Sequence, residues 1–474
     1  MKLYHYRSIN SALIEIENGT FHFSSREELN DPLEGYLRVY WQGDKAAWEG
    51  LFRNYIQSLF LSVFRYRLGV EGFLHDDKVV LTDTERFDDM PIRKLLDEVG
   101  NTFLETKHVK DLVRFYGETS QKCFSSELGF VFYLIHQSAF RLCLKICIAN
   151  DFFTKEECKA LDSLFTNEKR NDFSKYDFYS ILSQMAQKMD EKYIEMIKVF
   201  AYTYKDLAEA WIMNLSKEVE TVLFGQDYKK DNEEITEKGK RRREWLELVI
   251  DFPEIYIDQL KALLYPQGYF VCFSEKGNIS PMWGNYADNH KGVCLVYETG
   301  EKQALNINVN GKGFQQLSVK KVLYDGAVIE RNFFETLGRM PFPQIVRWLT
   351  GKQGISRCYE AFRDENEWRN KYWEAFEIKN YRKFPSWSYE NEFRIQITDF
   401  FYNLSDTTKR NFQYAPELLK GVVFGIRTSE FDKKRIFDAL YKRSGQFKEF
   451  TFYQAEYDEE KQNIEIRKKD VWKL

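Results

Sequence analysis

Apolar and polar residues alternate in short blocks at both ends of this chain, and between them apolar residues recur at spacings of three and four. KLYHYRS reads as an edge or opening strand, SALIEIEN as a short helix, and TFHFSS as a second strand. Asn18-Gly19 is a good helix stop, because both residues tolerate positive φ. In SREELNDPLEG, Ser25 is a candidate cap answered by Glu28, and Asn30-Asp31-Pro32 closes the block as a turn. From about residue 43 to about 260 the helical period takes over, in WEGLFRNYIQSLFLSVF, FVFYLIHQSAFRLCLKI and YIEMIKVFAYTYKDLAEAWIMNL. A charged interval, 227–243, interrupts it and reads as a solvated loop; Arg241, Arg242 and Arg243 offer the alternative of a partner or phosphate patch. Strand signals return with GYFVCFS, GVCLVYE, VKKVLYD, ENEFRIQI, LKGVVFG and EFTFYQAEY, around a helical portion at roughly 328–379.

The pattern predicts an α+β protein: a split, mixed sheet built from both ends of the chain, with a large helical insertion. The expected division is 1–42 and 261–474 for the core and 43–260 for an inserted or separate helical domain. At 474 residues the chain exceeds the size at which one core usually keeps growing. An aromatic content of 17% points to aromatic-lined packing or pockets. The net charge of -4 removes a globally basic surface, so nucleic acid is unprompted. Seven scattered cysteines without CxxC spacing, and an amino terminus without an apolar run, lead to the expectation of a reducing, cytoplasmic location. The stretch 128–149 contains His136, Gln137, Arg141 and Lys145, which favours a buried helix over a bilayer span.

Candidate chemistry gathers in two stretches. In WSYENEFRIQI, a strand would set Glu390, Glu392 and Arg394 on one face. That face is either a solvated edge or the wall of a cleft, in which one carboxylate meets a substrate hydroxyl and the other orients an acceptor. In SPMWGNYADNHKG, Trp283 and Tyr286 share one side of a helix opened by Pro281, either as core or as a sandwich for a planar heterocycle. His290 is a candidate for phosphate binding or helix capping. On the first strand His5 and Arg7 share a face opposite Tyr4 and Tyr6, and pairing with FHFSS would make a two-strand platform on which Arg7 clamps a diphosphate. No Walker loop, GxGxxG, HExxH or GxSxG is present, and the six histidines never stand at metal-ligand spacing, so no metal is predicted.

LYHYRS, ENGTFHFSSREELNDPLEG, CFSEKGNISPMWGNYADNHKGVCLVYE, WSYENEFRI and KGVVFG together resemble the bacterial family called domain of unknown function 2971. These blocks lie within 1–40 and 265–460. That family in turn looks like a remote relative of the ADP-ribosyltransferase fold. The resemblance implies NAD as co-substrate, with His5, Tyr6 and Arg7 holding the dinucleotide and Ser24 and Ser25 near the nicotinamide ribose. Trp283 or Tyr286 would enclose nicotinamide, Glu392 would act as the catalytic carboxylate, and Glu390 would position an acceptor. The expected function is therefore an NAD-consuming transferase or glycohydrolase, with a protein or nucleic-acid acceptor, no membrane, and a homodimer left open. Two alternatives remain: a non-catalytic nucleotide- or partner-binding effector of bacterial defence, and a carboxylate-dependent nuclease or other hydrolase with Asp288 as the third acid.

Overall fold

A strand with both faces covered belongs inside a sheet, and β1 (Lys2–Arg7) is such a strand: Leu3 and His5 are buried on one side and Tyr6 on the other. Of the edge or opening strand expected, the second holds: it is the first element of the chain but lies inside the sheet. The structure, a computed structural model, describes residues 1–74, 79–82, 90–166, 179–180, 182–183, 199, 206, 217–225, 237–300, 302–309, 311, 313–326, 328–399, 404–447 and 449–469. It is α+β, with several sheets and a large helical region, and divides into two compact units. A sheet unit comprises Met1–Leu37, Pro266–Ile329 and Trp373–Leu474; a helical unit comprises Arg38–Tyr265 and Glu330–Tyr372. Residues 330–372, expected in the core, thus belong to the helical unit.

In the sheet unit, β1 is followed by α1 (Ile9–Asn18), which Ser8 caps through Ser11 N and which Gly19 ends at φ 64. Then come β2 (Thr20–His22), β3 (Ser24–Ser25), β4 (Gly268–Ser274), α2 (Ser280–Tyr286) and β5 (Val293–Glu298). The remainder is β6 (Ala304–Asn308), β7 (Gln315–Ser318), β8 (Lys320–Lys321), β9 (Glu392–Thr398), β10 (Asn411–Tyr414), β11 (Leu419–Phe424), α3 (Glu430–Tyr441), β12 (Thr451–Asp458) and β13 (Asn463–Lys468). The large sheet runs β8-β9-β4-β1-β5-β11-β12-β13, with β3 added beside β4. The β11–β12 pair is parallel and its other pairs are antiparallel, so the sheet is mixed. A smaller sheet runs β2-β10-β6-β7.

FHFSS is not the single platform strand expected from the sequence. Phe21 and its neighbours pair with β10 in the small sheet, while Ser24 and Ser25 pair with β4 in the large one. The period of two then sorts the cores. Leu295 and Tyr297 pack with Phe21, Ile307 and Tyr414 between the sheets, whereas Cys294 and Val296 pack on the other face with Tyr6 and Trp283.

In the helical unit, Lys45–Arg67, Ile92–Glu105, Lys107–Thr119 and Ser125–Ala149 are helices, joined by Lys155–Thr166, Lys217–Phe224 and Glu237–Leu246. Lys45–Arg67 is buried along most of its length: Tyr55 stacks on Phe132 and donates to His136 Nδ1 at 2.8 Å. Ser125–Ala149 has the length and apolarity of a membrane span, and most of its apolar window is buried inside this unit. Of the charged interval, 237–243 opens a helix instead of a loop; 227–236 and most of the helix expected at 193–215 lie outside the described residues.

Candidate functional site

The site begins with a departure between two strands. β1 and β4 run antiparallel but pair at Tyr4–Ser274 alone; further along, β4 pairs with β3, setting Ser24 opposite Phe270. A cavity of about 210 Å³ lies in this part of the unit. Tyr4 to Arg7 line it from β1 and Phe270 to Ser274 from β4, with His22, Ser24 and Asn30 nearby. Glu28, Met282, Tyr286, Lys383, Glu390 and Glu392 line it as well.

Glu390 does not stand on the strand with Glu392, as its spacing suggested. It closes a 3-10 turn, Pro385–Glu390, and Asn391 follows at φ 45, a conformation that asparagine adopts more readily than most residues. The carboxylates meet nevertheless. Lys383 Nζ donates to Glu390 Oε2 at 2.7 Å and to Glu392 Oε2 at 3.1 Å, and it lies 3.3 Å from Glu34 Oε2. Arg394 grips Glu392 with two donors, Nε to Oε1 at 2.5 Å and Nη2 to Oε2 at 2.9 Å. Its Nη1 pairs with Glu34 and donates to the Asn380 carbonyl at 2.9 Å. Tyr286 donates its hydroxyl to Glu390 Oε1 at 2.5 Å.

All five charged groups are buried, Arg394 to 1% exposure. Three carboxylates against two cations leave one formal negative charge in excess. That excess shows in the protonation preferences. Burial pushes Glu392 up, but Arg394 and Lys383 outweigh it and hold the carboxyl below the usual range. Burial raises Glu390 and the Glu392 charge adds to it, against the pull of Lys383. Two carboxylates sharing one lysine are thus driven apart, Glu392 toward the ionised form and Glu390 toward easier protonation.

A second network lies under β1. Glu15 of α1, 3% exposed, accepts from Arg7 Nε at 2.8 Å and Tyr297 OH at 2.7 Å, and its Oε1 is 3.0 Å from His5 Nδ1. Burial raises the Glu15 carboxyl, but His5 and Arg7 outweigh it and bring it down to about 2. A depressed carboxyl stabilises the fold above its unfolded value of about 4.3, and the contribution is lost as pH falls through about 2. The difference corresponds to about 3 kcal/mol. In urea unfolding, Glu15→Gln is therefore expected to be less stable than the parent by that order at pH 6, with the gap closing toward pH 2. An equal gap at both pH values would remove the ion-pair account.

The predicted site residues separate into two groups. His5, Tyr6, Arg7, Ser24, Tyr286, Glu390 and Glu392 line one cavity. Trp283, Ser25, His290 and Arg394 are not among its lining residues. Trp283 is fully buried, its Nε1 bonded to the Gly277 carbonyl at 2.9 Å and its ring edge-on to Tyr6, so it builds core instead of enclosing a ligand. Ser25 is buried, and its amide donates to Glu28 Oε2 at 2.8 Å, the capping arrangement the sequence suggested. His290 sits in a left-handed turn with Asp288 and Asn289, stacked near Trp283; Asp288 is exposed there and is no third acid of the cavity. Arg394 stands behind Glu392 as its buried partner. Sequence reasoning missed Lys383 and Glu34, whose charges lie in polar stretches that carry no period, and Glu15, which nothing in the helix SALIEIEN marks as the buried acid rather than Glu17. Among the described residues no group of three or more His, Cys, Asp and Glu is placed to hold a metal ion.

The family model described as "Protein of unknown function (DUF2971)" matches residues 282–395. The matched stretch contains Tyr286, Lys383, Glu390, Glu392 and Arg394, while β1, FHFSS and KGVVFG lie outside it. No curated protein and no solved structure matches the chain.

Proposed function

We propose that the sheet unit is an ADP-ribosyltransferase-like enzyme that binds NAD and cleaves its nicotinamide–ribose bond, passing ADP-ribose to water or to an acceptor. The observation that carries this reading is the buried cluster with one negative charge in excess, facing a cavity also lined by Arg7 and His22. Nicotinamide in NAD is cationic, and as it leaves the positive charge passes to the ribose. An anionic wall fixed beforehand by Lys383 and Arg394 favours a cation in both states and needs no reorganisation. About 210 Å³ is below the roughly 300–1,000 Å³ of whole-ligand pockets, which fits the nicotinamide–ribose end of the dinucleotide. Glu392 is the carboxylate that meets the ribose 2'-hydroxyl, and Glu390 orients the acceptor.

A second reading, a nucleotide-binding effector without turnover, is favoured by one fact: both Glu392 oxygens are already engaged by Arg394 and Lys383. Titration calorimetry with NAD, followed by a nicotinamide-release assay on the same sample, separates the two. The enzyme reading expects binding, release, and a loss of about 10²–10³-fold in release for Glu392→Gln. Binding without release would put the effector reading first, and the absence of both would remove NAD as the ligand.

A further inference from the structure

We infer that His5 is the general base of this site, taking through Nε2 the proton of the nucleophile that attacks the ribose, and that Glu15 is its positioning residue. The inference rests on the NAD-cleaving reading above.

Three observations carry it. First, His5 lines the cavity, yet its Nδ1 is turned away to Glu15 Oε1 at 3.0 Å. Ionised Glu15 places the ring proton on Nδ1 and leaves the lone pair on Nε2. Nε2 has no hydrogen-bond partner among the described residues, and it is not among the buried unpartnered atoms. Second, the carboxylate is itself held by Arg7 Nε and Tyr297 OH, and the ring packs against Phe273 at 5.0 Å and Phe21 at 6.1 Å. A base oriented by a fixed third group is the arrangement that nucleophile activation needs. Third, the other candidates are engaged. The Glu390 oxygens hold Tyr286 and Lys383, and His22, on the exposed side, has Nδ1 on Asn411 and Nε2 3.8 Å from Glu28 Oε2, with no buried carboxylate behind its ring among the described residues. Burial pushes the Cys272 thiol well up, so it keeps its proton.

Burial and the Arg7 charge lower the His5 pKa against the opposing pull of Glu15, so the ring is neutral and basic near pH 7. The other charged groups around this cavity are Glu28, Lys383, Glu390 and Glu392, with His22 the second imidazole. The step balances simply. The C1'–N bond breaks with its electron pair going to the nicotinamide nitrogen, which leaves neutral. The oxygen of water or of an acceptor hydroxyl bonds to C1', and its proton passes to Nε2. The imidazolium so formed is paired with Glu15 and returns the proton to solvent.

The test uses the full chain and has two independent readouts. Nitrogen-15 NMR of the ligand-free protein is expected to show His5 as the Nδ1–H tautomer at pH 7; the Nε2–H tautomer or a doubly protonated ring overturns the inference whatever the activity. In nicotinamide release at saturating NAD, His5→Asn is expected to lose about 10²–10⁴-fold in rate. Glu15→Gln is expected to slow release and move the acid limb of the pH profile to lower pH, because the anion that retains the His5 proton is gone. A merely structural Glu15 would lower the rate without moving that limb. If Glu15→Gln fails to fold, His5→Asn and the tautomer decide. Normal release by His5→Asn beside a dead Glu392→Gln overturns the base and leaves the NAD reading standing. A parent protein that releases no nicotinamide overturns both.

Discussion

Arg394→Met is expected to destabilise the sheet unit by about 3–5 kcal/mol, the range for removing one partner of a buried ion pair. The guanidinium offers donors to Glu392, Glu34 and the Asn380 carbonyl at once, and its site is 1% exposed. Methionine fills much of the same volume, so the loss reports charge left unpaired and not a cavity. Glu392 and Glu34 would then share Lys383, already bonded to Glu390. Arg394→Lys should recover little, because an ammonium cannot reproduce the forked grip on both Glu392 oxygens. Urea unfolding followed by fluorescence measures the effect. A variant within about 1 kcal/mol of the parent would mean that the cluster is not a structural requirement.

The second large effect belongs to the helical unit. Gly50 lies inside the helix Lys45–Arg67, where alanine would ordinarily gain about 1 kcal/mol from helix propensity. Here an added Cβ would stand 1.7 Å from the carbonyl oxygen of Trp348, a backbone atom that no rotamer change moves aside. Gly50→Ala is therefore expected to cost about 3 kcal/mol or more, the upper range for overpacking a buried contact. Thermal unfolding of the variant checks it; unchanged or raised stability would show that the two segments separate easily.

Much of the fold was legible because a period of two and a period of 3.6 announce themselves. β1, α1 with its Gly19 stop, the Ser25–Glu28 cap, β4, β5, β9 and β11 all fall where the alternation or the stop signals put them. What the period cannot carry is which sheet a strand joins. FHFSS has one pattern and two destinations, decided by partners that lie hundreds of residues away. The site was half legible for a related reason. Glu390 and Glu392 attract notice as a close pair, but the groups that set their protonation arrive from elsewhere: Lys383 from the segment after a helix and Glu34 from the turn before residue 38. Trp283 left two readings open, core or the wall of a heterocycle pocket, because spacing cannot tell them apart; the short helix α2 turns it into the core beside Tyr6.

The position of β1 in the large sheet also sets a timetable for synthesis. Its neighbours on either side are β4 and β5, which begin at Gly268 and Val293. At roughly 5–20 residues per second, a ribosome needs roughly 15–50 s after making β1 before the first of them exists. Through that interval Leu3, Tyr4 and Tyr6 have no sheet to enter, and the cavity-lining His5 and Arg7 have no opposite wall. The nascent chain therefore carries these apolar side chains unpaired for more than half of its elongation, an opening for chaperones and a built-in delay before the cavity can form.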